Sequence, residues 1–252
     1  MPRLFRHLAE WRAERTRVAP GTRIGFVPTM GALHEGHRSL LERARRENDR
    51  VVLSVFVNPT QFDDPADLSR YPRTLEADVE LAGDLADDVL SPEPGEMYPD
   101  AYRYRVTEGE LSQLHEGAHR SGHFDGVLTV VLKLLNLVRP DRAYFGEKDW
   151  QQLRLVEGMA RALFLPVEIV ACPTVREPDG LAMSSRNRRL APPARQRAAL
   201  FPQALRSSPS PSAAAEALAG AGFAVDYVED VAGVRIGAVR IDGVRLIDNV
   251  RL

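Results

Sequence analysis

The feature that most constrains this chain is a rhythm. Through its first three quarters, short uninterrupted apolar runs alternate with stretches of helical periodicity. Strands buried on both faces read as continuous hydrophobic runs, whereas strands with one wet face alternate apolar and polar residues. Residues 24–27 and the run VVLSVFV at 51–57 are of the first kind, with shorter examples at 89–90, 142–145 and 167–171. Between them, 37–48 places Leu40, Leu41 and Ala44 at helical spacing, and 75–87, 126–138 and 150–163 also read as helices. This order predicts an α/β fold, a parallel sheet covered by helices on both faces.

The pattern changes near residue 190. Pro192-Pro193 opens a helical segment, and SSPSPS at 207–212 reads as a flexible, solvated connection. An alanine-rich helix and three short segments, 224–229, 234–241 and 244–252, follow. They predict a small C-terminal α+β domain that leans on the larger one for stability. The expected division is 1–174 and 175–252.

Composition then narrows the function. A formal net charge of −2 offers no basic field to a nucleic acid. Cys172 is the only cysteine, so no internal disulfide forms, and its apolar neighbours suit a structural thiol in a reducing compartment. The arginine-rich amino-terminal segment has no uninterrupted apolar stretch, which argues against a signal peptide or membrane span and for a cytoplasmic protein. Lys133 and Lys148 are the only lysines. A lysine kept where arginine is otherwise used marks a need for a compact point charge. Lys133, inside an apolar helix, either snorkels to the surface or lies near a site.

In sheets of this kind, ligands bind beyond the carboxyl ends of the strands. Four polar clusters follow predicted strands: PTMGALHEGH, NPTQF, FGEKDWQQ and PTVREPDGLAMSSRN. In the first, His34 and His37 flank a glycine at a helix start, where imidazoles and free N–H groups suit the phosphates of a nucleotide. A zinc site is the other reading, but H-E-G-H lacks the H-E-x-x-H spacing. In the second, the amides of Asn58 and Gln61 can orient a small hydroxy acid, or Asn-Pro is an ordinary turn. In the third, Lys148 can neutralise phosphate and Asp149 can accept from ribose, or the two form a solvated pair at a helix start. In the fourth, after an expected β-turn at 177–180, Ser184, Ser185 and Arg186 suit triphosphate oxygens on a closing loop. Arg120 and His123, before the apolar helix, are candidates for contact with an acid substrate, and Asp125 reads as that helix's N-cap.

Taken together, PTMGALHEGHRSL, VFVNPTQF, YPRTLEAD, GHFDGVLTVVLKLLN, FGEKDWQQL and PTVREPDGLAMSSRNRRL closely resemble the pantothenate synthetase family, in the family's order, over roughly residues 22–190. The resemblance implies a Rossmann-like nucleotide- and pantoate-binding domain followed by a lid-like domain. It implies a HIGH-type motif at His34–His37 and a KMSKS-type loop at Met183–Arg186. The implied reaction adenylates pantoate with Mg·ATP and then joins it to β-alanine, releasing AMP and pyrophosphate. By the same resemblance, Asn58, Gln61 and Gln152 hold pantoate, with Met30 beside them and against the nucleotide. His34, His37, Lys148, Ser184, Ser185 and Arg186 meet the ATP phosphates. Gly146 and Asp149 lie against ribose and adenine, Val175 and Met183 also bind ATP, Asp78 is a candidate Mg²⁺ ligand, and a homodimer is expected. The family's C-terminal domain is usually longer, so this one is expected to be abridged, although VDY at 225–227 and RLIDN at 245–249 survive. Competing readings are another HIGH-type nucleotidyltransferase, a shortened tRNA synthetase, and a nucleotide-binding protein without turnover. A metal hydrolase is weaker, since no set of three or four ligands stands out.

Overall fold

The computed structural model describes residues 1–252. The chain divides into two compact units, one comprising 1–33, 37–145 and 151–172, the other 34–36, 146–150 and 173–252. The smaller unit therefore takes two short segments from the middle of the chain.

The larger unit is built on a six-stranded sheet of β1 (Arg3–Phe5), β2 (Ile24–Thr29), β3 (Arg50–Val55), β4 (Asp88–Leu90), β5 (Arg142–Gly146) and β6 (Glu168–Cys172). The strands lie in the order β1-β4-β3-β2-β5-β6. Pairing is parallel from β1 to β4, β4 to β3, β3 to β2 and β2 to β5. Alternation along the strands explains the two layers. Phe26, Val52, Leu90, Ala143 and Phe145 face the helices Leu8–Thr16, His123–Val138 and Trp150–Ala162. Their neighbours Val27, Val51, Leu53, Val89 and Tyr144 face Leu40, Leu41 and Ala44 on one helix and Ala82 on another. Strand β1 lies in the amino-terminal segment, where arginines hide its pattern; Arg3 pairs in register with Asp88 and bonds its buried carboxylate at 3.0 Å. Strand order reverses between β2 and β5, the switch point at which doubly wound sheets open a crevice for ligands.

The smaller unit holds an antiparallel sheet of β7 (Ala224–Val231), β8 (Val234–Ile241) and β9 (Val244–Arg251). Its hairpins turn at Ala232-Gly233 and Asp242-Gly243, all four residues at positive φ, as a tight two-residue turn of this hand requires. Phe201, Leu205 and Leu218 from two helices pack on Val239, Ile241, Val244 and Leu246 to form a separate core. The connection expected at 207–212 is shorter than its composition suggests. Ser207 ends one helix, and Ser210 caps the next through the Ala213 N–H at 3.2 Å, with Pro211 at its first position.

Candidate active site

Within the larger unit, β3 runs into a single turn of 3-10 helix, Pro59–Gln61, preceded by Asn58. Asn58 is 1% exposed, and its amide is fully occupied. Its Nδ2 donates to Gln61 Oε1 and to the Gly126 carbonyl, both at 3.1 Å. Its Oδ1 accepts from the Tyr98 hydroxyl at 2.7 Å and from Thr60 Oγ1 at 3.0 Å. Burial pushes the Tyr98 hydroxyl up to about 12, so it stays a donor. Gly126 must be glycine, because a Cβ there would stand 2.7 Å from Gln61 Cα. Asn58 is thus the organiser of this turn, and Gln61 is its reaching member. Gln61 Nε2 points at Met30 Sδ, 3.1 Å away, and a thioether is a weak acceptor that an incoming hydroxyl or carboxylate outcompetes.

Arg120 and His123, expected to meet an acid substrate, both bond the Gln61 turn. His123 Nδ1 donates to the Gln61 carbonyl at 2.8 Å, which leaves Nε2 to accept from Arg120 Nη1 at 3.1 Å. Arg120 Nη2 donates to the same carbonyl at 3.2 Å, and its guanidinium pairs with Asp63 and Glu116. Both side chains grip the backbone of the Gln61 turn. Asp125 is not the N-cap either, since the helix begins at His123 and the cap position is Gly122. Of the paired glutamines, Gln151 is structural: it bonds the carbonyls of Leu111 and Leu114 and the N–H of Glu116. Gln152 beside it is half-buried. Lys133 resolves as a structural cation that donates to the Met97 carbonyl, pairs with Asp100 and lies over the Tyr98 ring.

The turn after β2 is held as firmly. Gly31 and Ala32 both have positive φ, so successive N–H groups point into one concavity of the kind that binds anions. The anion is the chain's own Asp78, 2% exposed. Its Oδ2 accepts from the Ala32 N–H at 3.1 Å, and its Oδ1 accepts from the Leu33 N–H at 2.8 Å and the Thr74 hydroxyl at 3.3 Å. A Cβ on Gly31 would stand 2.8 Å from Asp78 Oδ2. These bonds make Asp78, the expected metal-ligand candidate, an anchor of the loop that carries Met30. No group of three His, Cys, Asp or Glu side chains is placed to hold a metal ion. His37 is half-buried in the first turn of the helix Glu35–Glu47.

The smaller unit gathers His34, Gly36, Gly146, Lys148, Asp149 and the loop from Val175 through Met183, Ser184, Ser185 and Arg186. His34 Nδ1 accepts the Gly36 N–H at 3.1 Å, which places the ring proton on Nε2 as a donor. Gly36 is required for this, since a Cβ would lie 2.8 Å from the His34 ring. Burial, reinforced by Lys148 and Arg188 and opposed by Asp149, lowers the His34 pKa to about 4. The imidazole is therefore neutral at physiological pH yet set among cations. Lys148 makes only a long 3.5 Å pair with Asp149. The expected β-turn forms, with the Gly180 N–H donating to the Glu177 carbonyl at 2.8 Å. Met183 N–H bonds the Val175 carbonyl at 3.0 Å, and Ser184 Oγ caps the 3-10 turn Ser185–Arg189 by accepting the Arg186 N–H at 3.3 Å. Asn187, which follows the motif, donates to the Ala182 carbonyl at 3.0 Å and keeps the loop in shape.

A family model described as Pantoate-beta-alanine ligase matches residues 3–251. The chain is 53% identical to the pantothenate synthetase of Bdellovibrio bacteriovorus over 253 residues, covering 100% of both chains. It is 50% identical to that of Legionella pneumophila (strain Corby), covering 99% of both. A crystal structure of pantoate-beta-alanine ligase from Francisella tularensis, complexed with Beta-gamma ATP and Beta-alanine, superposes with a TM-score of 0.95 at 37% identity, covering 100% of this chain and 98% of that one. Pantothenate synthetase from Thermus thermophilus gives 0.91 at 47% identity, covering 99% of both chains. Beside these relatives the C-terminal unit is not abridged, because the matches run the length of both partners.

Proposed function

The chain belongs to the pantoate-beta-alanine ligase family, and from that premise we propose how its residues use ATP to condense pantoate with β-alanine through a pantoyl adenylate. Gln61 Nε2 and Gln152 bind pantoate on the turn that Asn58 organises, with Met30 as the apolar wall. The pantoate carboxylate is already ionised at neutral pH and needs no general base. It attacks the α-phosphorus of ATP, and pyrophosphate leaves. His34 and His37 donate hydrogen bonds to the phosphate oxygens, and these strengthen as negative charge builds on the leaving group. Lys148, Ser184, Ser185 and Arg186 hold the same phosphates, while Gly146, Asp149, Val175 and Met183 seat the nucleoside. Magnesium, if it enters with the nucleotide, would supply charge neutralisation for the phosphates beside Lys148 and Arg186. In the second step the amine of β-alanine attacks the acyl carbonyl of the adenylate, forming the amide and expelling AMP.

The observation that carries this reading is the geometry at His34: Nδ1 accepts the Gly36 N–H, so the ring proton sits on Nε2, and burial with nearby Lys148 and Arg188 favours the neutral ring. A neutral donor stabilises developing phosphate charge without losing its proton. No helix is long and apolar enough to cross a membrane. Residence in the cytoplasm and assembly as a homodimer belong to this proposal, and light scattering of the purified protein tests the second.

The decisive experiment follows pyrophosphate release from Mg·ATP, first with pantoate alone and then with β-alanine. The expected result is a pantoate-dependent burst, then turnover with AMP formation once β-alanine is added. Pyrophosphate release that ignores pantoate would reject the order of steps, and a burst without turnover would reject the second half-reaction.

A further inference from the structure

Strand β9 carries the segment RLIDN, which none of the steps above uses. Its Asp248, 3% exposed, takes the Arg176 guanidinium bidentately at 2.7 and 2.9 Å. Arg176 also donates to the Asn249 and Gly180 carbonyls, each at 3.0 Å. The end of β9 is thereby tied to the start of the loop that bears Met183 and Ser184. The next side chain reaches elsewhere. Asn249 Nδ2 donates to the Glu147 carbonyl at 2.8 Å and to the Lys148 carbonyl at 2.9 Å. Arg251 adds an exposed ion pair to the Glu147 side chain at 3.0 Å.

Both amide protons of Asn249 are thus spent on consecutive carbonyls of the turn Glu147–Asp149. Fixing two successive peptide planes fixes the direction in which the Lys148 Cα–Cβ bond leaves the backbone. That matters for lysine more than for most residues, since its flexible four-carbon stem has many rotamers to search. A rigid root removes backbone motion from the search that the ammonium group makes for a phosphate. No close substitute does this: Asp would present oxygens to the two carbonyls, and Ala would offer no donor.

We propose that Asn249 is a positioning residue for the adenylation step, acting on ATP through the backbone of Lys148. The proposal rests on the assignment of Lys148 to the phosphates of ATP.

The test is a double-mutant cycle on the full-length protein, read by pantoate-dependent exchange of labelled pyrophosphate into ATP. Asn249→Ala is expected to lower kcat/KM for ATP by about 10- to 100-fold, as loss of an ångström of alignment does, and, in the complete reaction, to leave the KM for β-alanine unchanged. Asn249→Asp is expected to be at least as damaging. In a Lys148→Ala background the same Asn249→Ala change should cost about twofold or less, because the group it positions is gone. Equal losses in both backgrounds would overturn the positioning role while leaving the lysine assignment standing. A Lys148→Ala protein with full exchange activity would instead sink that assignment, and the proposal with it. Asn249 is half-buried, so its truncation opens no large cavity. Asn249→Ser, which retains one donor, covers the case of a poorly folded alanine variant, and its expected loss is intermediate; no loss in a well-folded Ser variant overturns the proposal.

Discussion

His34 Nδ1 accepts the Gly36 N–H, and that hydrogen bond decides which ring nitrogen carries the proton. The spacing of two histidines around a glycine was visible in the sequence, and so was their suitability for phosphate. The reason for the glycine was not, because it depends on where the His34 ring lies over Gly36. Titration carries the same information. The folded pKa of about 4 lies below the ordinary value of 6.5, so between those limits the unfolded chain binds more protons. The contribution of His34 to stability is therefore complete above about pH 6.5 and is lost as pH falls towards 4. The expected NMR titration of the His34 ring has its midpoint near 4, with no His34 step in the adenylation rate between pH 6 and 8. A midpoint near 6.5 would contradict a neutral donor wedged among cations.

At the scale of elements, the candidate residues follow strand ends, and side chains from far along the chain brace them. The loops after β2, β3 and β5 were legible because each apolar run stops abruptly at Pro, Gly or Asn. What local sequence does not reveal is which carbonyl a side chain grips from far along the chain. Arg120 and His123 look like ligands for an acid, yet they hold the Gln61 carbonyl across 59 and 62 residues. Tyr98, which fixes Asn58, lies in a loop with no motif. Asp78 is the sharpest case, since a buried carboxylate near a phosphate-binding loop suggests a metal, whereas its oxygens accept two backbone N–H groups. Asp78→Asn turns one acceptor into a donor facing an N–H. Leaving such a group unpaired costs about 1–3 kcal/mol. The expected thermal shift is a fall of roughly 2–10 °C for a protein of this size. The half-saturating Mg²⁺ concentration should not move, and a severalfold rise in it would restore the role of metal ligand.

Over the whole molecule, the apolar clusters follow the two units. The cores built on β2 to β6 lie within 1–172, and the third, around Phe201 and Leu218, lies within 181–250. A fragment of residues 1–172 is expected to unfold cooperatively by circular dichroism yet show no pyrophosphate exchange, because Met183, Ser184, Ser185, Arg186 and Asn249 are missing. Exchange by that fragment would show that residues 173–252 are dispensable for adenylation. The rhythm of apolar runs foretold the large sheet because period and length are local properties. It did not foretell that 34–36 and 146–150 group with the small unit, since that follows from contacts made much later in the chain.

The grip of Asn249 on Lys148 also sets an order of events during synthesis. Its two partners are separated by 101 residues. At about 5–20 residues per second, a ribosome needs roughly 5–20 s to travel between them. Over that interval the nascent chain can assemble its parallel sheet and bury two of its three cores. The lysine meanwhile waits on an unbraced turn. If Asn249 positions Lys148 as proposed, competence to activate pantoate is deferred until the last strand emerges, and an interrupted translation product is expected to be folded in large part and still be inert.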